Sequence, residues 1–148
     1  MEIIIHIVFS FCSTVAFALL INVPRSALIA SGISGAAGWM VYYFSFATTN
    51  NLLVSYFVSA LIMGLVSIVF SRLKKMPVTV FNIPGFVPLV PGGDAYRAIR
   101  YLFIQDLDLA GHHLARIVII VSAIAFAFMI ISVFEQLVRF MSRSNKQK

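Results

Sequence analysis

The residues with chemical potential in this chain gather in one stretch, Pro84-Gly85-Phe86-Val87-Pro88-Leu89-Val90-Pro91-Gly92-Gly93-Asp94-Ala95-Tyr96-Arg97-Ala98-Ile99-Arg100, with Asn82 just ahead of it. Each proline removes a backbone donor and crowds the carbonyl four residues back, so the stretch is not one continuous helix. Gly92 and Gly93 are expected to add freedom to leave helical dihedrals. Asp94 is expected to cap a second half-helix running through Tyr96, Arg97 and Arg100, whose first-turn amides and positive dipole end would face the break. Such a place binds an acid through main-chain N–H groups, with Tyr96 and Asn82 adding neutral hydrogen bonds. Asp94 and Arg97, three residues apart, can equally pair with each other. Arg97 and Arg100 divide evenly between contact with an anion and pairing with lipid headgroups or other side chains.

Elsewhere the chemistry is thin. His112-His113 lacks the i, i+4 spacing by which two helical ligands share a face, and only Asp106 and Asp108 lie nearby, so no metal site is expected. Cys12 is the single cysteine, which excludes an internal disulfide framework. No nucleophile and base, paired carboxylates or metal constellation converge, so neither an enzyme nor a cofactor is expected. His6 and Glu135 read as solvated or interfacial groups near the ends of apolar runs.

The elements that must hold these residues belong to a membrane. The chain has 148 residues, 61% hydrophobic and 11% charged, with a mean hydropathy of +0.99. A soluble domain carries roughly 25% charged residues, which argues against a water-soluble enzyme, a nucleic-acid binder or a disordered chain. The net charge of +6 comes from cations placed at the ends of apolar runs. A spanning helix needs about 20 apolar residues. Between Glu2 and Arg25 lie 22 residues without a charge, between Arg25 and Arg72 lie 46, and Lys75 to Asp94 and Arg116 to Glu135 each enclose 18. The expected fold is all-α, one membrane domain over 1–148, with spans near 3–23, 26–46, 52–71, 77–103 (broken) and 114–138 and a basic tail at 139–148. Five crossings put 8 of the 11 Lys and Arg on one side, which places the C-terminus in the cytoplasm and the N-terminus outside. The competing layout makes 77–91 a re-entrant hairpin and strands the tail opposite Arg72 to Lys75.

The second span carries Ser31, Gly35, Ser34 and Gly38 as small-xxx-small pairs, and the third aligns Ala60, Gly64, Ser67 and Ser71. Plain helix packing accounts for both faces. The interruption in the fourth element is expected near residues 90–93, close to mid-membrane. Non-helical backbone at that depth survives only against protein or a watery cavity, so a cavity is implied. Broken helices of this kind form substrate sites in secondary transporters. The basic tail suits an anionic-lipid surface rather than nucleic acid.

The string Ile83 through Gly93 followed by Ala95-Tyr96, with a weaker match at Phe17-Ala18 and Asn22-Val23-Pro24 leading to Leu28, resembles the threonine/serine exporter family, and within it the smaller C-terminal domain, which many bacteria make as a separate membrane protein. The chain departs from that pattern at Asp94, where members often have a small uncharged residue, and at Arg97, a position not firmly basic. The resemblance implies an exporter in the bacterial cytoplasmic membrane that moves threonine and serine outward on the proton gradient, with a larger membrane subunit as partner. Some two-subunit relatives look like exporters of the dicarboxylate succinate. The expected substrate-binding set is Asn82, Pro84, Gly85, Pro88, Pro91, Gly92, Gly93, Asp94, Tyr96, Arg97 and Arg100. Five spans are few for an alternating-access carrier, so a partner or self-association is expected. A non-transporting assembly or regulatory subunit is the reading from another class.

Overall fold

A computed structural model describes the backbone of residues 1–144 and the side chains as far as Gln136. The lipid-anchoring role expected of 139–148 falls outside the described side chains. The chain forms α1 (Glu2–Leu20), α2 (Arg25–Thr49), α3 (Leu52–Lys74), α4 (Thr79–Gly85), a single 3₁₀ turn (Val87–Leu89), α5 (Gly92–Phe103) and α6 (Leu107–Ser144). Helices α1, α2, α3 and the described part of α6 are each long and apolar enough to cross a membrane. The protein is therefore an all-α membrane protein with four long candidate spans.

Short polar connections set the hairpins. Asn50 takes left-handed dihedrals with φ 48° and Asn51 caps α3 by accepting from the Val54 amide at 3.3 Å. Gln105, at φ 61°, reverses the chain before α6, and Asp106 accepts from the Leu109 amide at 3.1 Å. That cap starts α6 at Leu107, two turns ahead of the expected 114.

Small residues bring the long helices together. A Cβ on Gly35 would run into the Thr14 side chain of α1, one on Gly38 would lie 2.9 Å from Met63 Cβ of α3, and one on Gly64 would strike Ile131 of α6. Close approach leaves room for hydroxyls to bond across helices, as Ser59 does in donating to the Gly38 carbonyl at 2.6 Å. The small-residue faces are occupied by helix packing.

Helix α4 and the 3₁₀ turn lie wedged among these spans. Phe81 is fully buried against Ala27 and Ala30 of α2, and Val78 packs with Ile68 of α3 and Ile131 of α6. Further along, Leu89 is fully buried against Tyr56, Ile120 and Ala123, with Trp39 and Tyr42 beside them. Meanwhile Arg72 and Lys75 border the same pocket as Glu135, so α6 returns to the end of the bundle that carries those cations.

The helical break falls where expected, at Val90 (ψ 130°) and Pro91 (ψ 51°), and Pro91 lies beside Val121, Ile124 and Ala125 of α6. Two local expectations for residues 92–94 need correction. Gly92 and Gly93 do not leave helical dihedrals; they form the first turn of α5, with no positive φ and open space around them. Asp94 makes no cap bond, because the N-cap position falls on Pro91.

Candidate functional site

The expected site residues divide into three groups. The first is the wedge. Pro84 has no N–H to offer the carbonyl of Val80 four residues back, and the Ser31 hydroxyl of α2 donates to that oxygen instead, at 3.3 Å. Gly85 faces α2 and α3, where an added Cβ would lie 2.9 Å from Met63 Sδ. Asn82 lines up with Val78 and Phe86, one helical turn to either side. Val78 touches Ile131, and the Phe86 ring lies 4.1 Å from that of Phe128, so this face meets α6. Asn82 is 6% exposed and its Oδ1 has no hydrogen-bond partner. A buried carbonyl oxygen without a donor costs about 1–3 kcal/mol.

The second group surrounds the 3₁₀ turn. Pro88 lines a groove of about 280 Å³ with His6, Phe9, Ser10 and Ser13 of α1 and Trp39 of α2. The Trp39 indole donates to His6 Nδ1 at 3.2 Å, and the Tyr43 ring lies 4.8 Å from the imidazole. His6 is therefore a half-buried, hydrogen-bonded residue rather than a solvated one. Pro91, by contrast, borders a space lined by Phe86, Val90, Val121, Ile124 and Ala125. No polar side chain lines that space, whereas the groove beside Pro88 carries His6, Ser10 and Ser13.

Asp94 anchors the third group. Its Oδ1 lies 2.8 Å from His113 Nδ1 and 3.2 Å from Arg116 Nε, the latter as an ion pair rather than an aligned hydrogen bond. Tyr101 stacks on His113 with planes 5° apart. Neither the Arg97 pairing nor an orphan cap describes this carboxylate; it fastens α5 to α6. Partial burial works to raise its pKa, but the His113 hydrogen bond and the Arg116 charge prevail and hold it below the usual carboxyl range. Tyr96, Arg97 and Arg100 point outward from α5, and Gly92 and Gly93 are exposed at its start. They lie at the surface, whereas Asn82 is buried.

Sequence reasoning weighed His113 only as half of a His-His pair and did not join it or Arg116 to Asp94, because that partner is 19 residues or more away in the chain. It read His6 as solvated or interfacial and passed over Ser10 and Ser13, although the spacing of four and three places all three on one face of an otherwise apolar helix. That polar stripe was readable. No solved structure matches the chain. A sequence model of the family described as threonine/serine exporter, ThrE, matches residues 6–134, from the His6 groove through the Asn82 wedge to the apolar length of α6, and the chain belongs to that family.

Proposed function

We propose that this chain is the smaller subunit of a secondary exporter that moves threonine and serine out across the bacterial cytoplasmic membrane with a larger membrane subunit. Family membership supports the transport class. The observation that carries the substrate is the unpartnered Asn82 oxygen on a proline-broken element inside the spans. An acceptor of this kind takes a donor, which the ammonium and hydroxyl of threonine and serine supply. An ionised dicarboxylate brings only acceptors. In this reading the wedge is a fifth crossing, with the N-terminus outside and the C-terminus cytoplasmic, and α5 lies beyond the hydrocarbon on the outer side.

The second reading, a succinate exporter, is favoured by Arg97 and Arg100, two exposed cations on α5 that a dianion would meet on leaving. Proteoliposomes holding both subunits, or either alone, separate the possibilities. Counterflow of labelled serine is expected only with the pair, and Asn82→Leu is expected to lower it at least tenfold while the two subunits still purify together. Full exchange by the larger subunit alone would make this chain an accessory. Exchange of succinate without serine would replace the substrate.

A further inference from the structure

The groove beside Pro88 has a donor and acceptor pattern that can be worked out atom by atom. His6 Nδ1 accepts from the Trp39 indole at 3.2 Å, and a neutral imidazole that accepts at Nδ1 carries its proton on Nε2. The Ser10 hydroxyl proton is committed to the His6 carbonyl at 2.7 Å, and that of Ser13 to the Ser10 carbonyl at 3.0 Å. Both hydroxyl oxygens keep lone pairs. The groove therefore offers one N–H donor and two acceptor oxygens within a largely apolar wall of Phe9, Pro88 and the Trp39 ring, and no formal charge. At about 280 Å³ it lies just below the roughly 300–1,000 Å³ typical of ligand pockets, a size that suits only a small ligand.

We propose that this groove is a docking site for a small zwitterionic amino acid, with its carboxylate on His6 Nε2–H, its ammonium on the Ser10 and Ser13 oxygens, and its short side chain against Phe9 and Pro88. A neutral groove in apolar surroundings favours a ligand whose own charges cancel. Bringing in a dianion would leave two charges without a counter-ion. Pro88 belongs to the turn that continues from the Asn82 wedge, so a ligand here touches the same element from the opposite side of the bundle. The inference rests on the amino-acid reading of the exporter and assigns it a second station, nearer the N-terminal end of α1.

Trp39 is the only tryptophan, so its emission reports on this groove and on the Leu89 and Tyr56 core beside it, and substitutions in the groove separate the two. The full-length chain in lipid nanodiscs is titrated with serine, threonine, serine amide, N-acetylserine and succinate. Serine and threonine are expected to give a saturable emission change; serine amide, N-acetylserine and succinate, each lacking part of the zwitterion, are expected to give none. Ser10→Ala and Ser13→Ala, which remove only an oxygen, are expected to weaken the serine response at least fivefold, and His6→Phe to abolish it. No saturable response to serine, an equal response to succinate, or a response that survives all three substitutions would overturn the proposal. Counterflow of labelled serine in proteoliposomes distinguishes the two levels. A serine response in Trp39 with no serine counterflow from the complete pair leaves the groove standing and removes the exporter reading, whereas normal counterflow with a silent Trp39 does the reverse.

Discussion

Gly35 and Gly92 are both helical glycines, yet their surroundings give them opposite tolerances. A Cβ at Gly35 meets the β-branched Thr14, whose hydroxyl is itself tied to the Ser10 carbonyl at 2.8 Å and so has no easy rotamer to retreat to. Gly35→Ala is expected to destabilise the protein by about 1–3 kcal/mol through overpacking, read as a lower unfolding temperature in detergent. At Gly92 and Gly93 an added methyl meets nothing, and alanine favours the helix by up to about 1 kcal/mol, so Gly92→Ala and Gly93→Ala are expected to leave both stability and serine efflux intact. Asp94 is the other residue whose role the structure redefines. Its folded-state pKa is lowered, so its contribution to holding α5 on α6 is complete above the ordinary carboxyl value of about 3.9 and is lost only as pH falls through the lower folded value. Spin labels at the exposed Ile99 and Leu109 are expected to keep one separation from neutral pH down to about 4 and to broaden below it. Asp94→Asn, which cannot hold the Arg116 charge, is expected to show the broad distribution already at neutral pH.

The wedge of α4 and the 3₁₀ turn shows what the sequence could and could not reveal about an element. Its existence was legible, because Pro84, Pro88 and Pro91 rule out a continuous helix, and the long runs of α1, α2, α3 and α6 were legible from the absence of charge. The division of 77–103 near residues 90–93 was legible too, but the amphipathic character of its second half was not. Counting uncharged residues treats the stretch as one span, whereas Asp94, Ala98 and Tyr101 on one face and Tyr96, Ile99 and Phe103 on another mark α5 as a separate amphipathic helix. The partner of the wedge was also hidden, since nothing local links Ser31 to Val80, 49 residues on. That bond makes a specific prediction. Ser31→Ala strands the Val80 carbonyl in an apolar setting and is expected to cost about 1–3 kcal/mol. Pro84→Ala returns an amide that can reach the same carbonyl, so in that background the Ser31→Ala cost is expected to shrink by more than half. A double-mutant cycle on thermal unfolding in detergent measures the coupling directly. Additive effects would mean that Ser31 and Pro84 act independently.

At the scale of the whole molecule the two ends differ in charge. Arg25, Arg72, Lys74 and Lys75 collect at one end with Glu135 of α6, while the Thr48 to Asn51 turn and the α5–α6 hairpin lie at the other. Cations near short connections stay on the cytoplasmic side, so the charge-rich end is expected to face the cytoplasm. Both α1 and α6 then start outside, which requires the wedge to complete the crossing that returns the chain from Lys75 to α5. The expectation is checked with single cysteines in a Cys12→Ser background, one at Asn50, one at Lys75 and one at Phe103. A membrane-impermeant maleimide added to intact cells is expected to modify the cysteines at 50 and 103, and the one at 75 only after permeabilisation. The cysteine at 103 carries the most information. Were it protected together with the one at 75 while the one at 50 reacts, the wedge would enter and leave on the same side, and Asn82 would lie in a re-entrant element rather than on a path between the two faces of the membrane.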